Sequence, residues 1–523
     1  MIILELTYPS TAEQDVLRHP ALKPRGRRPR ARKLERVWHD TVDFQLAHRD
    51  LALSEYAGQW HLDRLGLGWP RRPGTAAALI ADAINPAGIE AELGEALPGP
   101  LRSVTRFTGE ILRLPITLDG GPAECRILRG TLFALGLSGE ASAPHPVYRM
   151  EIEATAAAAV DLAQQLAADL PVQPAVATLP HEALLLRGTR IKAPPAPPLD
   201  PGMATEDALA IIASGFVTTF LTRLGQIPGR SGPEPVHQAR VTMRRLRALM
   251  LAFRPILKDS EDRVKDLLVE LKAVLGPARD WDVFLSETVA PIAASLPEDQ
   301  PAMLWLRDAA EAQRESAYAA LIAYQHQADY RALLWQLAAL CLGVGWRHFA
   351  PSVPEQQEQP DGPSVAAGAA PPPPLAADPK AEGDMSRLGE FALRCIDGRW
   401  KKTARPLRDV IPMPVTELHQ LRIKCKKLRY QAEMFQDALP GKAARKLVRR
   451  LTNTQEIMGE LNDGAVAGDL AESLRPKTRT TAREQVLAAE ATGLVRGYGL
   501  GRASGSREAV IAAWRKLVKS NPF

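Results

Sequence analysis

The amino-acid sequence predicts a multidomain protein, with an N-terminal α+β domain and a C-terminal all-α region of two similar helical bundles. Three observations carry this prediction. Proline-rich stretches divide the 523 residues into three parts, strand-like runs fill only the first part, and one basic helical motif occurs in each of the other two. The chain is also too long for one ordinary domain.

Proline-rich segments set the expected boundaries. One, "KAPPAPPLDPG", begins at Lys192, and a second, which contains "VAAGAAPPPPLAADP", begins at Pro351. Such composition favours an extended, solvated chain over a packed core. The predicted segments are a domain at 1–191, a linker at 192–204, a first helical bundle at 205–350, an inserted linker at 351–384 and a second bundle at 385–523.

The first part alternates apolar and polar residues over short runs that Gly and Pro interrupt. Runs such as "IILELTY", "GEILRLPITL" and "YRMEIEA" are typical of strands in a sheet or barrel, and "AAAAVDLAQQLAADL" indicates a helix. The two later parts are rich in Ala, Leu, Arg, Glu and Gln with helical spacing. Within them, Gly276-Pro277 and Pro440-Gly441 predict turns between helices.

Composition argues against several classes of protein. The four cysteines have no CxxC spacing, so neither a disulfide framework nor a zinc site is expected, and a reducing compartment is favoured. The start "MIILELTYPS" is not typical of a signal peptide, and the apolar run 332–346 is short for a membrane span. We therefore expect a soluble cytoplasmic protein with no membrane partner. The net charge of +6 favours weak attraction to polyanions.

An internal repeat is the strongest signal. The stretch "VHQARVTMRRLRAL" begins at Val236 and "LHQLRIKCKKLRY" begins at Leu418, with matched residues 182 positions apart. A second pair, "LGPARDWD" and "MGELNDGA", follows in the same order at an offset of 183. Two motifs repeated in order indicate a duplication, and hence two similar helical bundles.

Each repeated motif places cations along one side of a helix. At 100° per residue, positions 0, +3, +7 and +10 fall close together. The first stripe is His237, Arg240, Arg244 and Arg247, flanked by Arg245; the second is His419, Arg422, Lys426 and Arg429, flanked by Lys427.

Clustered cations repel one another, and no acid occurs between residues 236 and 258. A bound polyanion would supply the missing negative charge, because arginine forks grip phosphate and lysines act as point charges. Phosphate beside a histidine would also favour its protonated form. The alternative is a solvated basic face whose histidine packs at the helix start.

Further cations follow the second motif, in "GKAARKLVRRL" at Lys442, Arg445, Lys446 and Arg449. Aromatic residues do not interleave with these runs, so stacking platforms for single-stranded bases are not expected. The sequence carries no zinc-finger or RNA-binding signature. The predicted ligand is a phosphate backbone without bases.

The motifs "HxxRVxxRRLR" and "HxLRIxxKKLRY", each followed by "LGxxRD" or "GxxND", resemble the CHAD family, the conserved-histidine α-helical domain, over residues 205–523. The resemblance implies two four-helix bundles with pseudo-twofold symmetry, which bind inorganic polyphosphate at their junction, and localisation to polyphosphate granules. The implied contacts are His237, Arg240, Arg244, Arg245, Arg247, His419, Arg422, Lys426, Lys427 and Arg429, with Lys424, Lys442, Arg445, Lys446 and Arg449 further out.

The first part resembles the CYTH family of triphosphate tunnel metalloenzymes in "HDTVDFQLAHRDLAL" and "GQWHLDRL", which implies an antiparallel tunnel barrel. Of the family's opening ExExK only Glu5 is present, while Glu151 and Glu153 match further metal-binding acids. The tunnel arginines fall at Ser54 and Tyr56. Three acids without a cationic clamp cannot hold and polarise a triphosphate. The resemblance therefore implies a degenerate domain with vestigial acids, no catalytic residue and no metal site.

We therefore expect a non-catalytic polyphosphate-binding protein on granules, without a cofactor, whose partners are polyphosphate and other granule proteins. One alternative is a Mg²⁺-dependent triphosphatase or polyphosphatase in the N-terminal domain, and Mg²⁺ would be needed only there. A second alternative is a nucleic-acid-binding protein; otherwise nucleic acid acts only as a competing polyanion.

Overall fold

The structure of this 523-residue chain is a computed structural model. It describes residues 2–26, 29–65, 81–82, 99–136, 140–187, 198–229, 232–258, 262–346, 387–404, 415–476, 481–503 and 506–518. The predicted linker at 351–384 and residues 192–197 of the linker at 192–204 lie outside these residues.

The N-terminal part is an antiparallel sheet, as the alternating runs predict. Its strands are β1 Ile2–Thr7, β2 Arg32–Asp40, β3 Leu51–Tyr56, β4 Gln59–Arg64, β5 Ala81–Asp82, β6 Arg102–Leu118, β7 Gly121–Ala134, β8 His145–Ala154 and β9 Gln173–Pro174. They pair in the order β5-β4-β3-β2-β6-β7-β8-β1-β9. The described residues also form the helices α1 Glu13–Arg18, α2 Gln45–His48, α3 Ala156–Asp169 and α4 Leu179–Leu186.

The tunnel barrel is not confirmed. Within the part of the chain that the structure describes, β5 and β9 are the two edges of the sheet and no ladder joins them, so the sheet is open. One face of the sheet is apolar because alternate residues point to it: Leu4 and Leu6 of β1 and Ile152 of β8 are buried against α3. The residues between them, Glu5 and Glu151 among these, form the opposite face.

The C-terminal region is helical, as its residue spacing predicts. The first half holds α5 Thr205–Gln226, α6 Glu234–Ala252, α7 Arg254–Leu257, α8 Asp262–Val283, a π-helix at Phe284–Val289, α9 Ala290–Ala294, α10 Pro301–Tyr324 and α11 Ala328–Leu342. The second half holds α12 Leu388–Ala404, α13 Val415–Met434, α14 Gly441–Ser473, α15 Ala482–Ala503 and α16 Ser506–Val518.

Hydrophobic cores are shared between the regions. One cluster runs from the sheet through α3 into α5, α6, α11, α12 and α13, and a second joins Phe284 and Leu306 of the first half to Ala471 and Val495 of the second. At the junction of sheet and helices, the Trp335 indole donates to the Val172 carbonyl at 3.4 Å. Two separate four-helix bundles are therefore not confirmed.

The two halves also meet at their first helices. Ala204, just before α5, forms a β-bridge with Arg387, just before α12. The amide of Leu388 donates to the Met203 carbonyl at 3.0 Å. The motif helices α6 and α13 pack against each other, so the fold brings the duplicated segments to one junction.

The turn expected at Gly276-Pro277 is wrong, because Pro277 lies inside α8. Proline removes one backbone hydrogen bond and normally bends or breaks a helix. Here Leu275, Ala278 and Trp281 are buried on both sides of it, and their burial holds the helix together. The turn expected at Pro440-Gly441 is present, since Pro440 caps the start of α14.

Helix α5 is long and apolar enough, by length and composition alone, to cross a membrane. It is a core helix in this fold, packed against α6 and α11, with residues such as Leu209, Val217 and Phe220 fully buried. Small polar residues interrupt its apolar residues, so no long apolar run marks this helix in the sequence.

Candidate anion-binding site

The motif helices turn their apolar residues to the core and their cations away from it. Helix α6 buries Val236, Ala239 and Leu246, and α13 buries Leu421 and Leu428. Because these apolar positions recur at helical spacing, the intervening polar positions share the other side of each helix. The sequence pattern thus fixes which way both stripes face.

A cavity of about 470 Å³ lies where the two stripes meet. Helix α6 lines it with His237, Arg240 and Arg244, and α13 lines it with Arg422 and Lys426. Positions 0, +3 and +7 of the first motif, and +3 and +7 of the second, are therefore brought into one site. The side chain of His419 lies outside the residues that the structure describes.

Two further arginines line the cavity, and the repeated basic stripes do not include them. Arg279 comes from α8 and Arg502 from α15. The lining also includes two acids, Asp280 of α8 and Glu287 of the π-helix. The described lining therefore holds six permanently charged cations, one histidine and two carboxylates, so positive charge predominates.

Arg240 of the stretch "VHQARVTMRRLRAL" contacts the stretch "LGPARDWD" of the same half. Its Nη1 donates to the Gly276 carbonyl at 2.7 Å and to Asp280 Oδ1 at 3.1 Å. Burial lowers the pKa of Arg240, and Asp280 opposes that shift. Gly276 and Asp280 belong to "LGPARDWD", so the two motifs of the first copy contact each other directly in the fold.

The surroundings of His237 disfavour its protonated form. Burial lowers the pKa of His237 below 6.5, and the nearby Arg279 and Arg244 lower it further. Glu234 and Glu287 act in the opposite direction without reversing the shift. Negative charge added beside the histidine would raise this pKa again.

Several predicted contacts lie outside the cavity. Arg245 and Arg429 both approach Glu433, at 3.6 Å and 3.4 Å, so an acid of α13 pairs with one cation from each motif helix. Arg247, Lys424 and Lys427 are exposed and do not line the cavity.

The later basic run lies on the first turns of α14. Its members are exposed and do not line the cavity: Lys442, Arg445, Lys446 and Arg449. Along α14, Arg449 is about 26 Å from Val466, where this helix reaches the cavity wall. This run is therefore a separate basic surface on the same domain.

The vestigial acids of the sheet are already paired with arginines. Glu5 faces Glu151 across β1 and β8, and Arg149, which is 1% exposed, contacts Glu5 and, at 2.5 Å, Glu182. Burial raises the pKa of Glu151, and the neighbouring Glu5 raises it further.

Arg126 completes this arrangement. It contacts Glu153 and donates to Glu124 at 2.7 Å and to Glu151 at 3.3 Å. In the described part of the chain, no three His, Cys, Asp or Glu side chains are grouped to hold a metal ion. The acids do not fit a divalent metal, because guanidinium groups already occupy their oxygens.

Comparison with known proteins supports the assignment of the helical region. The family model described as "CHAD domain" matches residues 223–472. A crystal structure of the CHAD domain from the plant Ricinus communis is 24% identical, with a TM-score of 0.46, and covers 62% of this chain and 96% of its own. PptA from Streptomyces chartreusis is 17% identical, with a TM-score of 0.40, and covers 60% of this chain and 99% of its own.

No curated protein matches the chain. The resemblance of residues 1–191 to the CYTH family is not confirmed by any family match. The resemblance shown by the repeated motifs is confirmed, since residues 223–472, which hold both motif helices, match the CHAD domain.

Proposed function

We propose that this protein binds inorganic polyphosphate without catalysis, through the cavity between α6 and α13. CHAD domains are associated with polyphosphate binding, and residues 223–472 match that domain. The observation that carries the proposal is the cavity lining, in which six cations from both halves of the helical region accompany two acids.

The charge balance of the cavity suits a multivalent anion. Arg244, Arg279 and Arg422 line the cavity with guanidinium groups, whose planar forks match phosphate oxygens. Lys426 adds a compact charge. Cations of one sign gathered in a concave site also raise the local concentration of anions and speed their association.

The basic run on α14 extends the proposal to long chains. The exposed cations Lys442, Arg445, Lys446 and Arg449 would contact segments of a polymer that continue beyond the cavity. Arg247, Lys424 and Lys427 are exposed on the motif helices and would act in the same way. A short polyphosphate would use the cavity alone.

A charge-reversal pair tests the proposal. In the variant R244E with K426E, one cavity cation from each motif helix becomes an acid, so we expect polyphosphate affinity to fall by more than about 100-fold, since each charged contact contributes about 1.5–3 kcal/mol. The matched control, K272E with R515E, changes net charge equally at exposed positions outside the cavity, and should change affinity by less than about threefold.

Circular dichroism of both double variants checks that helicity is retained. Full polyphosphate binding by folded R244E with K426E would contradict the proposal and leave the stripes as solvated faces. Competition with DNA or RNA at matched phosphate concentration separates polyphosphate binding from nucleic-acid binding. Fluorescent tagging in cells rich in polyphosphate tests the proposed localisation to granules.

The N-terminal sheet is, in this proposal, a scaffold. Glu5, Glu151 and Glu153 are neutralised by Arg126 and Arg149, which leaves no arrangement for a Mg²⁺-assisted attack on a triphosphate. We expect no phosphate release from tripolyphosphate in the presence of Mg²⁺ or Mn²⁺. Turnover that survives in R244E with K426E would instead support the triphosphatase alternative.

A further inference from the structure

The cavity has two chemically different sides. Five of its six permanent cations come from α6, α8 and α13. The side formed by α14 and α15 is largely apolar and presents Val466, Leu470 and Tyr498. Polyphosphate has no apolar part, so it would leave this second side without a partner.

The apolar side remains accessible to a ligand. Val466 is 42% exposed, whereas Val495 and Phe284, which also line the cavity, are buried. Tyr498 is half-buried, and the guanidinium of Arg502 lies 5.8 Å from the centre of its ring. An aromatic ring with a neighbouring arginine is a common platform for a flat heteroaromatic group.

Glu287 gives this side a polar group as well. Its side chain is 54% exposed, lines the cavity and lies 3.9 Å from Arg279. A carboxylate in a polyanion site repels the ligand unless it receives a hydrogen bond. Amino or hydroxyl groups of a nucleoside would donate that bond.

We propose that the cavity takes a nucleoside 5′-polyphosphate, with its phosphates on Arg244, Arg279, Arg422 and Lys426 and its base against Tyr498. The volume of about 470 Å³ lies within the range of sites for ligands of this size. The inference rests on the proposed function for the cationic side, and adds a nucleoside-binding side that a pure polyphosphate does not use.

The test compares ATP with tripolyphosphate, without divalent metal, by calorimetric titration of the full chain. Both ligands carry three phosphates, and only ATP carries a base. Because base–aromatic stacking contributes about fivefold to 150-fold in affinity, ATP should bind at least about fivefold more tightly. R244E with K426E should abolish both titrations, which assigns them to this cavity.

Substitutions on the apolar side test whether Tyr498 causes the preference for ATP over tripolyphosphate. The ratio of ATP to tripolyphosphate affinity should fall to about one in Y498A and persist in Y498F, which keeps the ring. L500A alters an exposed leucine two residues away that does not line the cavity, and should keep the ratio. E287Q should tighten tripolyphosphate binding and lower the ratio.

The outcomes separate the two proposals. Tripolyphosphate and long polyphosphate that bind while ATP binds no more tightly would overturn the nucleoside inference alone. A preference for ATP that is equal in Y498A and the unchanged protein would do the same. Failure of all three ligands to bind would overturn the proposed function and the inference with it.

Discussion

The N-terminal sheet and the helical cavity both gather arginines, and they use them in opposite ways. In the sheet, Arg149 contacts Glu5 and Glu182, and Arg126 contacts three further glutamates. In the cavity, six permanent cations share two acids. Carboxylates therefore outnumber the arginines in this part of the sheet, whereas cations outnumber the acids in the cavity lining.

The pKa values of a buried arginine, Arg149, and a partly buried one, Arg240, differ in the same sense. Burial opposes the charged form of Arg149, yet Glu5 and Glu182 outweigh it and hold its pKa above the ordinary value. Burial also opposes the charged form of Arg240, and Asp280 does not compensate fully, so its pKa is lowered. The same residue type is therefore a structural ion in the sheet and part of an undercompensated cationic cluster in the cavity.

Salt should produce the largest effect and should act on only one of the two regions. The proposal places four cavity cations on phosphate: Arg244, Arg279, Arg422 and Lys426. The logarithm of polyphosphate affinity should then fall with the logarithm of salt at a slope of about −3, at roughly −0.7 per contact by analogy with single-stranded nucleic acid. A tenfold increase in salt then weakens binding about 10³-fold. Titrations at several salt concentrations measure the slope.

The same series should leave the sheet nearly unaffected, because buried pairs are screened far less than exposed charges. Unfolding free energies measured at the same salt concentrations provide that control. A polyphosphate affinity that does not change with salt would contradict electrostatic binding in the cavity.

Removing Arg149 should have the next largest effect, this time on stability. The substitution R149M leaves Glu5 and Glu182 without their buried partner, and breaking such a pair from one side costs about 3–5 kcal/mol. Denaturant titration measures the loss. Adding E5Q and E182Q to the variant should restore part of it, because no unpaired charge is then left.

The control for R149M is R113M on the same sheet. Arg113 is 56% exposed and lies 3.3 Å from Glu124, so its loss should cost at most about 1 kcal/mol. Equal losses of unfolding free energy in R149M and R113M would show that Arg149 stabilises the sheet no more than an exposed ion pair does.

Helical periodicity was sufficient to predict much of the cavity. It placed His237, Arg240 and Arg244 on one side of α6, and the repeat implied that Arg422 and Lys426 would face them. Periodicity could not predict where the cavity ends. Arg247 and Arg429, at position +10 of the two motifs, do not line it. Glu433 of the second motif helix pairs with Arg429 and Arg245.

Long-range contacts account for what the sequence did not reveal. Arg279 had a signal, since it precedes Asp280 in the second repeated motif. Tyr498 and Arg502 had none, because they reach the cavity only through the packing of α15 against α10 and α14. Strand positions followed from alternation, but closure of the sheet depends on pairing between distant strands, which alternation does not specify.

Proton binding by His237 should have the smallest effect on polyphosphate affinity. It tests whether a single residue of the cavity responds to bound phosphate. Burial and Arg279 hold its pKa below 6.5 in the free protein, with Glu234, Arg244 and Glu287 as the other charges nearby. Bound phosphate raises this pKa, so the complex takes up a proton between the free and bound values. Affinity therefore increases as pH falls through that window, by at most about tenfold for each unit of separation.

Titrations with long-chain polyphosphate from pH 8 to pH 5.5 measure this increase, and H237N should flatten it. Long chains are needed because their internal phosphates keep a constant charge over that range. An unchanged pH profile in H237N would assign the proton to another group and remove His237 from the contacts with bound phosphate. A flattened profile with the salt slope intact would show that the histidine senses the ligand while the arginines and Lys426 hold it.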